Sequence, residues 1–214
     1  MTHSSSVLLL AGAVDSVGQC IARAVLIAGG KVAAAVPRAW QVDKLRAELL
    51  ATDLGVGGAS DRLLVGVVAP RDAEAAAGFV KGSKDALGDI THFTGAAQLL
   101  RQRVPGREPT GDLDELLDAN LHSNATLCRA VLPAMRRRKS GRLLFVAAPG
   151  GTEALSVTCR ASLAALAEFA AAIHGDLKGT GIDVDMVPAP MNLAAEDPLM
   201  VRWLAALATA SAAF

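Results

Sequence analysis

The sequence contains no tyrosine among its 214 residues, and aromatics of every kind make up only 3% of it. A core of the usual size for this length must therefore be built from small aliphatics. The 52% of residues that are hydrophobic are mostly Ala, Val and Leu, which suit helices packed closely on a sheet. An excess of charge is missing too: Lys+Arg and Asp+Glu are both 21. A neutral chain has no global attraction for nucleic acid or anionic lipid. The one basic run, Arg136-Arg137-Arg138-Lys139, reads as a helix C-terminus whose cations complement the dipole. Cysteine is scarce: Cys20, Cys128 and Cys159 are scattered without CxxC spacing, which excludes a disulfide framework or a zinc site. Long apolar runs are absent. VLLLAGAV near the N-terminus is too short to span a bilayer, and only Thr2, His3 and serines precede it, not a cationic leader. The expectations are one domain over 1–214, a reduced cytoplasmic setting, no metal, and neither nucleic acid nor membrane as partner.

What is present is an alternation of apolar runs and helical patterns. SVLLLAG (6–12), KVAAAVP (31–37), RLLVGVV (62–68), DITHFTG (89–95), GRLLFVAA (141–148) and GIDVDMV (181–187) read as buried strands. Helical patterns fill 19–28, 40–52, 72–87, 112–139 and 156–178, with a last short one at 199–208. Asp72 and Asp112 stand where helix caps belong. The segments 55–60 and 102–111, rich in Gly and Pro, read as loops. Such a βα repeat with right-handed crossovers predicts a Rossmann-like three-layer α/β/α sandwich, a doubly wound parallel sheet of six to seven strands.

Between the first strand and helix lies AGAVDSVG, Ala11 to Gly18. A glycine-rich strand-to-helix turn aims backbone N–H groups at a ligand and attracts phosphate. Gly12 would permit the tight turn and Gly18 close packing of the helix. With this turn, the segment DANLHSNATLCRAVLPAMRRRKSGRLLFVAA, Gly95 in HFTGAA and the stretch GTGIDVDMVPAP, the chain resembles the short-chain dehydrogenase/reductase family from Val7 to about Leu193. The resemblance implies an NADP or NAD site at Gly12, Ser16, Val17, Gly18 and Gly95. Ser16 replaces the middle glycine of the family's TGxxxGxG. After the second strand there is no acidic residue for the ribose of NAD, and Arg38 follows. It reads either as a solvated loop arginine or as a partner for the 2′-phosphate of NADP. Val67 stands where the family has an adenine-contacting Asp, and His92-Phe93-Thr94-Gly95 replaces NNAG.

The same resemblance locates the chemistry. The family uses a Tyr-x-x-x-Lys pair on one helix face, a serine after the fifth strand and an asparagine in the fourth helix. Here the serine position is Ala148, the tyrosine is Ser156, the lysine is Arg160 and the asparagine survives as Asn120. A serine hydroxyl is shorter than a phenol and far less acidic, so it does not replace it without a partner base. Arg160 does not titrate, but it can hold a ribose or phosphate. Cys159 and His92 read as packed side chains more readily than as nucleophile or base. The implied function is a divergent member lacking Tyr-dependent hydride transfer, either a nucleotide binder or a non-catalytic partner subunit. The rivals are an active NAD(P)-dependent oxidoreductase with an unusual proton donor and a pure interaction module. A homodimer, a homotetramer or a hetero-oligomer with an active homologue is expected, through the alanine-rich face of 161–172. After Pro190 too few residues remain for the family's substrate lid and seventh strand, so a sheet edge is expected to be exposed or partner-covered.

Overall fold

The computed structural model describes residues 6–50, 60–102, 112–147 and 152–188. Six strands form one sheet: β1 (Val7–Ala11), β2 (Lys31–Val36), β3 (Leu63–Val67), β4 (His92–Gly95), β5 (Gly141–Ala147) and β6 (Ile182–Pro188). The helices are α1 (Ser16–Ile27), α2 (Trp40–Leu50), α3 (Ala73–Leu87), α4 (Asp112–Leu117), α5 (Ser123–Arg138) and α6 (Val157–Asp176). All strand pairs are parallel, in the order β3-β2-β1-β4-β5-β6. The winding reverses between β1 and β4, so the crevice above their carboxyl ends is the topological switch point of a doubly wound sheet.

Strand alternation sorts the core into two layers. Leu9, Phe93, Leu143 and Phe145 face α3, α5 and α6, while Leu8, Leu10, Leu144 and Val146 face α1 and α2. With so few aromatics, three phenylalanines carry one layer: Phe93, Phe145 and Phe169 meet edge to face at 5.8 and 5.9 Å. Each such contact adds about 1 kcal/mol beyond the area it buries. Elsewhere small residues allow close approach: a Cβ on Gly66 would lie 2.6 Å from the Phe79 ring.

The elements follow the sequence reading with three informative shifts. α1 begins at Ser16, not Gln19, because the Asp15 side chain caps it by accepting from Gly18 N–H at 2.7 Å. β4 begins at His92, three residues later than Asp89. The expected 112–139 helix is continuous but contains a π-helical segment, Asp118–His122, between α4 and α5. Asp72 does cap α3, accepting from Ala75 N–H at 2.8 Å. Six strands are found among the described residues. Ala148, the 149–151 turn, most of the 102–111 loop, the 199–208 helix and any seventh strand lie outside the described residues.

Candidate functional site

A cavity of about 660 Å³ opens at the switch point. The ends of β1, β2, β3 and β4 wall it through Gly12, Arg38, Val68 and Gln98, and α4 and the π-helical segment close it with Glu115 and Asp118. Backbone geometry makes the floor. Gly12 has φ +83°, and a Cβ there would come within 2.2 Å of the Ala97 nitrogen. A Cβ on Gly18 would lie 2.1 Å from the Gly12 carbonyl oxygen. Only glycine meets both demands, so the turn holds helix, loop and β4 strand end in direct backbone contact. Gly95 is equally confined, with Phe145 and Asn124 at 2.9 and 3.0 Å from where its Cβ would be.

The charge in the cavity is unlike that of a phosphate seat. The Asp15 carboxylate lies against the N–H groups of Gly18, Gln98 and Val17, and Gln19 N–H bonds the Asp15 carbonyl at 3.0 Å. Burial pushes the Asp15 carboxyl up to about 7, and the three N–H groups offset only part of that rise. Glu115 and Asp118 add two further carboxylates. Arg101 pairs with Glu115 at 3.0 Å, and Arg71 pairs with Asp118. Arg38 is exposed at the rim, with its backbone N–H donating to Gln41 Oε1 at 3.0 Å. The glycines and the volume fit a nucleotide, whereas the N–H groups at the head of α1 are turned onto the Asp15 carboxyl.

Two asparagines build the wall that follows β4. Asn124, which the sequence reading passed over, accepts from Ala97 N–H at 3.1 Å and donates to the Ala97 carbonyl at 2.9 Å. It also donates to the Asn120 carbonyl at 2.8 Å, inside the widened π-helical turn. Asn120 is fully buried. Its Oδ1 accepts from Leu99 N–H, and its Nδ2 donates to the Leu99 carbonyl at 3.1 Å and to Ser162 Oγ at 2.8 Å. Both donors are engaged inside the protein, so this side chain serves as a clamp on the 97–99 segment. The clue in the sequence was the pair Asn120-x-x-x-Asn124 on one helix face, costly to bury unless satisfied.

The head of α6 is closed in the same manner. Ser156 is buried as the N-cap, accepting from Cys159 N–H at 3.2 Å and lying 3.1 Å from Thr158 Oγ1. Its own N–H donates to the Arg101 carbonyl at 2.9 Å. Cys159 is fully buried, its Sγ donating to the Leu99 carbonyl at 3.6 Å. Arg160 points to solvent. The spacing that places Ser156 and Arg160 on one face does not produce a pair, because Ser156 sits before the helix and turns its hydroxyl back onto the first turn. Neither residue, nor Asn120, lines the cavity. Of the other positions singled out, Gly12 and Arg38 line it, Ser16 is exposed, Val17 half-buried and Gly18 buried beneath. Val67 is 43% exposed on the edge strand. His92 begins β4, at the end of the sheet away from the cavity, and burial drives its pKa down to about 4. Asp15, Gln98, Glu115 and Asp118 are among the cavity residues that sequence reading missed. Asp15 was legible as an acid within a phosphate-type turn.

Residues 6–196 match the family described as short chain dehydrogenase. A short chain dehydrogenase of Pseudocercospora fijiensis is 28% identical over 179 residues, which are 81% of this chain and 55% of the relative. The chain thus spans little more than half of that protein's length. Serine dehydrogenase from Escherichia coli superposes with a TM-score of 0.73 at 23% identity, covering 92% of this chain and 89% of that one. An NADPH-bound short chain oxidoreductase from Pseudomonas aeruginosa PAO1, described as containing an atypical catalytic center, superposes at 0.71 with 19% identity. The overlap covers 85% of this chain and 69% of that one. Among the described residues no helix is long and apolar enough to cross a membrane, and no cluster of His, Cys, Asp or Glu could hold a metal ion.

Proposed function

The chain belongs to the short-chain dehydrogenase family, and we propose that it is a nucleotide-binding member that has given up tyrosine-dependent hydride transfer. The observation carrying this reading is the burial of Ser156 as a helix cap in a chain without tyrosine. A proton donor to a substrate carbonyl must reach it from the crevice. Ser156 and Asn120 spend their hydrogen-bonding groups within the protein, and Arg160 is exposed away from the cavity. NADP or NAD would lie over Gly12 and Gly18, with Arg38 at the rim of the adenosine end. The test is calorimetric titration of the purified protein with NADP and NAD, alongside turnover assays on ketones and aldehydes with the reduced forms. Nucleotide binding without turnover is expected. Robust carbonyl reduction would overturn the loss of chemistry.

A second reading, an active oxidoreductase with another proton donor, draws support from the Pseudomonas neighbour, whose name joins bound NADPH to an atypical catalytic center. His92 is a poor donor for it, being remote from the cavity. Assembly into a homodimer, a homotetramer or a complex with an active homologue remains part of the proposal. The α6 surface supports it, since Ala161, Ala164, Ala167, Ala171 and Val157 are exposed. Light scattering of the isolated chain checks it: a monomer at working concentration would remove self-assembly.

A further inference from the structure

We propose that the Asp15 carboxyl, turned into the phosphate seat of this crevice, is a specificity residue: when ionised it weakens the hold on a dinucleotide's pyrophosphate and leaves a ligand without phosphates unaffected. The inference rests on the reading that the crevice takes a nucleotide, and it concerns which part of one is admitted. A helix head binds phosphate through the N–H groups of its first turn. In α1 those of Val17 and Gly18 are turned onto the Asp15 carboxylate, the Gly18 N–H at 2.7 Å. The N–H of Gln98, on the opposite wall, also points at the same carboxylate. A pyrophosphate entering over Gly12 therefore finds the N–H groups of Val17, Gly18 and Gln98 turned onto a carboxyl that, when ionised, repels it across a half-buried gap.

The surrounding charges do not relieve this. From α4 and the π-helical segment, Glu115 and Asp118 face the cavity, neutralised by Arg101 and Arg71. At the end of β2, Arg38 lies on the rim, exposed and screened. On α2, Lys44 and Glu48 pair with each other at 3.8 Å, and Gln19 of α1 donates to Glu48 at 2.9 Å. No cation among these pairs with Asp15. The adenosine end meets none of this difficulty, because its walls are Ala35, Pro37, Val68 and Ala69. Protonation of Asp15 removes the charge, and burial brings that event to about pH 7.

The experiment is calorimetric titration of the wild-type chain, Asp15→Asn and Asp15→Ser with NAD and with adenosine, at about pH 6 and about pH 8, since neither ligand titrates in that interval. Both substitutions keep a capping oxygen for α1, and both remove the charge. Wild-type affinity for NAD should fall about tenfold between those two pH values, following ionisation of one carboxyl. At the higher pH both variants should bind NAD about tenfold more tightly than wild type and show no pH dependence. Adenosine should bind all three alike. Equal NAD affinity in wild type and variants overturns the inference while leaving the nucleotide-binding reading intact. Adenosine binding without NAD binding in the variants also overturns it, because something other than Asp15 would then bar the phosphates. Failure of every chain to bind either ligand overturns the reading, and this inference with it.

Discussion

Above β1, β2 and β3 the chain leaves a cavity, floored by glycines whose lack of a side chain lets backbone touch backbone. Across the switch point, where the π-helical turn meets the head of α6, the same layer is filled. Asn120, Ser156, Cys159 and Ser162 are buried and bonded to each other or to the 99–101 backbone. The first region leaves an open crevice with the Asp15 carboxyl turned onto the head of α1. The second spends the polar atoms of Asn120 on its own backbone and on Ser162. The difference teaches that a motif residue's identity and its use are separate. The resemblance led to the expectation of a catalytic Asn120, yet its side-chain hydrogen bonds all run to its own fold.

The sharpest way to break this contrast is to truncate Asn120. If it is a clamp, Asn120→Ala strands the N–H and carbonyl of Leu99 and removes one of the two partners of the Ser162 hydroxyl, costing about 3 kcal/mol of stability. Urea unfolding followed by circular dichroism reads this directly. A loss below about 0.5 kcal/mol would mean the side chain is spare, and the filled region would be a site after all.

The open region yields a smaller effect of opposite sign. The Asp15 carboxyl is raised from 3.8 to about 7 in the fold, so its protonated form is the one the fold favours. Its contribution is full below about pH 4 and is lost as pH rises through about 7. Asp15→Asn keeps the helix cap and removes the ionisation. It should raise stability by about 2 kcal/mol at about pH 8, after allowing for solvent screening of a partly exposed group, and by little at about pH 4. Thermal melts across this range would show the two chains converging in acid. Parallel curves would place Asp15 in water and return the phosphate seat to an ordinary one.

The fold was legible because its signals are periodic and redundant. Six apolar runs, each bounded by a turn residue, leave few alternatives to a parallel sheet, and Gly12 and Gly18 stand where backbone contact demands them. The site was less legible, because it depends on which atoms bond across long separations. Ser156 and Arg160 have the spacing of a catalytic pair. Whether that spacing creates one depends on where α6 starts, and the Ser156 hydroxyl decides this by capping the helix. The i,i+4 spacing of Asn120 and Asn124 hinted at a buried polar pair, but that Asn124 holds Ala97 emerges only when β4 and α5 are brought together. The Asp15 carboxylate was readable as a helix cap, but the N–H of Gln98 that joins it comes from the wall after β4.

The finest test separates Ser156 and Arg160, the two residues expected from the sequence to take the place of the catalytic pair. Ser156→Ala removes the α6 cap and should cost about 1 kcal/mol, while Arg160→Ala, in solvent, should stay within about 0.5 kcal/mol. If the two formed a ligand-holding pair, each substitution would weaken nucleotide binding, and their effects would be non-additive in a double-mutant cycle. A helix cap and a solvated arginine on either side of the first turn have no shared partner. Their stability effects should therefore add, and NADP titration should give the same affinity for Arg160→Ala as for the wild-type chain. A tenfold loss of NADP affinity in Arg160→Ala alone would instead show that the arginine reaches a bound ligand, and the filled region would regain a functional role through its one exposed charge.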